Sequence, residues 1–145
     1  MSKTTKKTKK MVAKTTEQNG NIFDKLGMFD VIAKEMDIMK DFYTSTLGCK
    51  VVVENKYGEM HFIKLEFPGG TAVNLIKKNE YAKSEPGSTK LYLFTSDIDK
   101  SYKALVKKGV KPNIEIQEQQ WDQKVKQFDF NDPDGNSLVI VQFLD

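Results

Sequence analysis

Cysteine, histidine and tryptophan each occur once in these 145 residues, as Cys49, His61 and Trp121. One cysteine excludes an intramolecular disulfide framework and any CxxC zinc motif. One histidine excludes a two-histidine metal site within a single chain. No run of 18 apolar residues is present, so no segment reads as a membrane-spanning helix. There is no GxSxG elbow. Phe67-Pro68-Gly69-Gly70 is followed by no GK[ST], so it is a turn and not a phosphate loop.

The net charge of +3 is unevenly placed. Residues 1–20 carry six lysines against Glu17, or +5, so residues 21–145 sum to −2. The opening stretch, 1–24, has too few apolar residues to offset the entropy of ordering and reads as a disordered basic tail. Its apolar Met11-Val12-Ala13 is too short for a signal peptide. The tail is a solubilising segment or, less simply, a contact for nucleic acid. With one free thiol and no signal peptide, the expected location is the cytoplasm.

From residue 25 onward one pattern is written twice. Residues 27–34 alternate as a strand. Met36, Met39, Tyr43 and Leu47 follow at helical spacing, and Gly48 stands where a helix C-cap glycine belongs. Three strand segments come next, within 49–56, 59–67 and 69–78. A polar linker, 79–88, precedes the second copy, 89–144. It holds a strand over 90–96, a helix capped by Asp97 with Ile98, Tyr102, Leu105 and Val106, and Gly109. Its last three strands lie within 110–119, 122–130 and 135–143. Glu35 matches Asp97 at an offset of 62, Gly48 matches Gly109 at 61, and Pro68 matches Pro133 at 65. A duplicated unit of this kind is α+β, two tandem βαβββ modules of residues 27–78 and 89–144 in one domain. Their mixed sheets are expected to curve around a shared cleft.

Three motifs in this order carry a family resemblance. Phe42-Tyr43-Thr44-Ser45-Thr46-Leu47-Gly48-Cys49 resembles the FYxxxLGF helix end of the vicinal oxygen chelate superfamily. That group contains glyoxalase I, extradiol dioxygenases and bleomycin resistance proteins. Phe128-Asp129-Phe130-Asn131-Asp132-Pro133-Asp134-Gly135-Asn136 is similar to its FxDPDGN hairpin. Ser96-Asp97-Ile98-Asp99, with Lys108-Gly109-Val110, is similar to its second helix. The resemblance implies a homodimer. In metal-dependent members it implies ligands, usually His, Gln or Glu, at positions that fall here on Met28, Asn74, Lys90 and Val139. A thioether, an amide, an ammonium and an alkyl group are poor partners for a hard or borderline cation. The resemblance with this departure implies a metal-independent protein that binds or sequesters a small organic molecule, as bleomycin resistance proteins do. No cofactor, metal ligand or catalytic residue is assigned. The alternative is a metal-dependent glyoxalase, lyase or dioxygenase-type enzyme of the same superfamily.

Strand alternation names the residues that would line the cleft: Met28, Asp30, Phe62, Lys64 and Asn74 from the first module, and Lys90, Tyr92, Phe94, Gln127, Asp129 and Val139 from the second. Trp121 joins them, either stacking on a ligand or packed on the sheet edge. Lys90 is expected to pair with Asp30 or Asp129, or else to meet an anionic ligand group. His61 shares the parity of Ile63 and Leu65, so it faces the helix and not the cleft. Cys49 follows a helix C-cap, where the dipole disfavours a thiolate, and reads as inert.

Overall fold

The computed structural model describes residues 20–82 and 84–144. The expected disorder of residues 1–19 lies outside them. Residues 20–27 join no helix or strand, and Ile22, Phe23 and Leu26 are exposed. The first module runs β1 (Met28–Ala33), α1 (Met36–Asp41), a π-helical turn (Phe42–Thr46), β2 (Lys50–Tyr57), β3 (Met60–Glu66) and β4 (Ala72–Lys77). The second runs β5 (Lys90–Phe94), α2 (Ile98–Lys107), β6 (Gln117–Gln120), β7 (Lys124–Asn131) and β8 (Ser137–Phe143).

Each module makes one four-stranded mixed sheet, in the orders β1-β4-β3-β2 and β5-β8-β7-β6. The first and last strands of each module pair in parallel and the rest antiparallel. The helix between the two parallel strands is the crossover that such pairing requires. The repeat read in the sequence is therefore real in the backbone. One expected strand is curtailed at its start: of 110–119, only 117–119 pair with β7, and the strand runs one residue further, to Gln120. Pro112 has no N–H to give a ladder, and the backbone N–H of Asn113 donates instead to the Asp129 carbonyl at 2.8 Å. Val110, Ile114 and Ile116 still pack against the core.

The two helices end differently, and the difference explains the slip from 62 to 61. On α2, Val110 N–H donates to the Leu105 carbonyl and Gly109 N–H to Val106, both at 3.0 Å, which is the Schellman closure. In the first module, Cys49 N–H reaches Tyr43 at 2.9 Å and Gly48 N–H reaches Thr44 at 3.1 Å. Each bond spans one residue more. The first module has one extra residue before its glycine, and a π turn absorbs it.

One core cluster lies on the helix side of both sheets. It runs through Val31, Met39, Tyr43, Ile63 and Leu75 and on to Phe128, Phe130 and Leu138. Polar contacts fasten the same junction. Tyr43 Oη donates to Asp132 Oδ2 at 2.7 Å, Lys34 N–H donates to Asp134 Oδ2 at 3.0 Å, and Lys108 Nζ caps the Ser45 carbonyl at 3.0 Å. Burial, with the Asp132 carboxylate second, holds the Tyr43 phenol well above its usual range, so it stays a donor. Gly87 in the linker has φ +84° and lies against the Asp134 carbonyl, where a Cβ would clash.

Tyr43→Phe should lower the free energy of urea unfolding by about 1–3 kcal/mol, the cost of leaving a buried acceptor short of one donor. Asp132→Ala should cost more, because it strands the tyrosine and the donors of its own turn. A Tyr43→Phe protein as stable as the parent would show that the bond does not hold the modules.

Candidate functional site

Strand register sorts the side chains of each sheet into two faces. On the first, Asp30, Asn74 and Lys64 form one cross-strand row and Ile32, Ile76 and Phe62 the next, with Met28 opposite Ala72. On the second, Tyr92, Val139 and Asp129 form one row and Phe94, Val141 and Gln127 the next, with Lys90 opposite Ser137. These faces are turned away from the common core. Val125, Val139 and Val141 make a separate cluster on the second face. Among the described residues, no hydrogen bond, ion pair or ring contact joins the first module's open face to the second's. The structure brings the candidates together in two groups, one per module.

The second face carries the aromatic surface. Trp121 sits in the bend between β6 and β7, edge-on to Tyr92 at 5.8 Å and to Phe143 at 6.1 Å, and Phe94 meets Phe143 at 5.1 Å. Phe94 is 68% exposed, Tyr92 49% and Phe143 42%, so this cluster is apolar surface left open to solvent. Phe143 is absent from the residues expected on this face. It follows Val139 and Val141 in strand parity, and one further step along the alternation would have included it.

Lys90 does not form the expected ion pair. It is exposed, its Nζ lies 5.5 Å from the centre of the Tyr92 ring, and no salt bridge joins it to Asp30 or Asp129. Lys90 is the first residue of β5, in the row before Tyr92, where its exposed ammonium needs no buried partner and makes a cation–π contact instead.

Among the described residues, three buried side-chain acceptors have no donor: Asn74 Oδ1, Gln127 Oε1 and Asp129 Oδ1. All three lie on the open faces. Asn74 is 8% exposed, and its amide is oriented because Nδ2 donates to Asp30 Oδ1 at 3.3 Å. Each such acceptor costs about 1–3 kcal/mol while unpaired. On the core side, Asp132, 4% exposed, is fully engaged.

His61 takes the helix side, as its parity requires. It is buried, and Nε2 lies 2.9 Å from Glu54 Oε2, while Lys40 Nζ donates to Glu54 Oε1 at 2.8 Å. The hydrogen bond from Lys40, then that from His61, holds the Glu54 carboxyl below its ordinary value of 4.5, and Glu54 raises Lys40 in return. Burial pushes the Cys49 thiol up to about 12. The structure keeps it protonated, and by desolvation more than by the helix end.

Two shallow depressions, about 540 and 320 Å³, lie elsewhere. One follows the charged outer side of α2, and the other lies at the module junction beside Phe42, Lys108 and Pro133. Neither is lined by Asn74, Gln127 or Asp129, whose unpaired acceptors lie on the open faces.

A metal fits poorly. The positions for family ligands carry Met28, Asn74, Lys90 and Val139, and only the Asn74 amide oxygen among them is an unpaired hard donor. Among the described residues, no three His, Cys, Asp or Glu side chains converge.

The profile of the Glyoxalase/Bleomycin resistance protein/Dioxygenase superfamily matches residues 25–140, and the chain belongs to that superfamily. No curated protein matches the sequence. Solved structures do. A superfamily member from Sphaerobacter thermophilus DSM 20745 is 29% identical with a TM-score of 0.73, over 84% of this chain and 99% of that one. TnmS3, an antibiotic binding protein from Streptomyces sp. CB03234, is 24% identical with a TM-score of 0.71, over 86% and 99%. A glyoxalase/bleomycin resistance protein from the same Streptomyces strain is 25% identical with a TM-score of 0.59, over 78% and 96%.

Two predictions follow from this geometry. Protein purified without chelator and challenged with Zn²⁺, Ni²⁺, Mn²⁺ and Fe²⁺ should hold less than about a tenth of an equivalent by mass spectrometry and show no thermal shift; stoichiometric metal would mean that another donor set exists. Glu54 binds its proton less readily folded than unfolded, so it stabilises the fold above its ordinary value of 4.5, and that contribution disappears as pH falls through the lowered folded value. Glu54→Gln should therefore flatten the acid limb of a stability–pH curve measured by urea unfolding. An unchanged limb would assign acid sensitivity to other carboxyls.

Proposed function

We propose that this chain binds or sequesters a small organic molecule without a metal, on the faces opposite its core. One observation carries the reading: the open aromatic cluster of Trp121, Tyr92, Phe94 and Phe143 shares a face with the unpaired acceptors of Gln127 and Asp129. Apolar walls with a few fixed polar groups are what small-molecule sites are made of. The antibiotic binding of TnmS3, on the same fold, supports the same reading. A face this open needs a second wall. In this reading a homodimer supplies it, setting the first module's face of one copy against the second module's face of the other, and the protein works in the cytoplasm. The tail of residues 1–24 is not needed for this binding. The superfamily's metal-dependent chemistries are disfavoured by the donor set at Met28, Asn74, Lys90 and Val139.

Trp121 is the chain's single tryptophan, so its emission reports on this face. Screening antibiotics and aromatic metabolites should find compounds that shift Trp121 emission and raise the melting temperature together. Trp121→Ala should weaken such a compound by about tenfold, the loss of one stacked ring. Light scattering should give the mass of a dimer. Compounds that stabilise the protein equally well without Trp121 would move the site elsewhere.

A further inference from the structure

The polar groups on the second face say which chemistry the bound molecule must bring. Asp129 has a carboxylate, which accepts and cannot donate, and its Oδ1 is buried with no partner. Its row neighbours offer nothing. Val139 has an alkyl side chain, and the β8 backbone is already paired with β5 on one side and β7 on the other. Tyr92, across that row, stands two strands away, about 10 Å at ordinary strand spacing. Gln127, two residues before Asp129 on the same face, leaves its Oε1 equally unpaired. On the first face Asn74 repeats the pattern: Asp30 takes the amide N–H, which leaves the oxygen asking for a donor. Among the described residues, the buried deficits on both faces are all of one kind, acceptors without donors.

We propose, on the small-molecule reading above, that the molecule held on the second face is a planar aromatic bearing hydrogen-bond donors, an amine in first place. Its N–H groups pair with Asp129 and Gln127 while its ring lies against Tyr92, Phe143 and Trp121. The two acceptor oxygens are closed to solvent, so the side chains over them turn aside on binding. Trp121 lies against the ring surface such a molecule would occupy: it sits in the short bend between the paired Gln120 and Lys124, edge-on to Tyr92 and Phe143, and is 39% exposed. Occupancy therefore changes its environment.

Two three-ring probes separate donor from acceptor chemistry on one scaffold: 9-aminoacridine and acridine-9-carboxylate. Titration calorimetry on the full chain should give the amine an affinity at least about tenfold higher, as a charge-assisted hydrogen bond allows. Residues 21–145 sum to −2 and attract any cation weakly, so the Asp129 variant is what separates a local hydrogen bond from that general attraction. Trp121 emission should shift with the amine. Asp129→Asn should reduce amine affinity by about tenfold without weakening the carboxylate, with Gln127→Leu weaker in the same direction for the amine, provided that melting curves show both variants folded. Equal or tighter carboxylate binding, or amine binding untouched by Asp129→Asn, would overturn the donor requirement and leave the small-molecule reading standing. Binding of neither probe up to about 1 mM would also overturn this inference. The compound screen would then judge the broader reading alone.

Discussion

A carboxylate sealed in the junction between the two modules sets the terms for the rest of the molecule. Asp132 is 4% exposed, and a charge taken out of water is tolerable only when its lone pairs are filled. They are filled from two directions. The Asp134 N–H, the Asn136 N–H and the Asn136 side chain donate from its own turn, at 3.0, 3.0 and 2.7 Å. Tyr43 donates from the other module at 2.7 Å. The turn alone cannot complete the set, so it is finished only when the first module's helix packs on the second module's sheet. Asn136 extends the arrangement by accepting from the Thr89 N–H at 2.9 Å, which fixes the start of β5 beside β8. One buried group thus couples the hairpin, the linker's end and the helix of the opposite module.

The same demand gives the π turn a purpose in the packing. Tyr43 lies within Phe42–Thr46, where the helix takes up one residue more than its counterpart. The phenol is fully buried, and its ring packs edge-on against Phe67 at 6.2 Å while the hydroxyl meets Asp132. Leu105, its match at an offset of 62, needs only an apolar contact, and α2 closes with the ordinary Schellman pattern. The modules are copies in topology but not in role: one supplies the donor and the other supplies the buried charge.

Much of this was legible before any coordinates, because it rests on local rules. Alternation in strands fixes the face of each residue, and the glycines after each helix fix where it stops. The slip in offset from 62 to 61 already recorded the extra residue, although a spacing alone does not say whether a loop or a helix absorbs it. The failures are of another kind. The fate of Lys90 depends on whether the end of β5 is wet, which no pattern of neighbours in sequence reveals. The irregular path of 110–116 reflects Pro112 and the capture of the Asn113 N–H by the Asp129 carbonyl, a contact across strands. The unpaired state of Asp129, Gln127 and Asn74 is a balance of donors and acceptors over a whole face, and only three-dimensional placement can draw it up.

That balance also bears on why one fold supports unlike sites. Coordination requires several hard donors to converge on a point, within a few tenths of an ångström. Two sheets built as copies can supply such a point only if both hold the right residues in matching rows. Here the matching rows differ in kind: Asp30-Asn74-Lys64 in the first module and Tyr92-Val139-Asp129 in the second. The first is polar throughout, while the second sets an aromatic ring and a valine beside one carboxylate. Such rows do not converge on an ion, but they suit a flat molecule that stacks on one wall and hydrogen-bonds to the other. Stacking tolerates small displacements that coordination does not, since a ring presents a face and not a single lone pair. The core behind both sheets is indifferent to the choice, because Tyr43, Asp132 and the buried aliphatics lie on the opposite side of every strand. The alternation that keeps the fold intact is therefore what leaves the open faces free to differ.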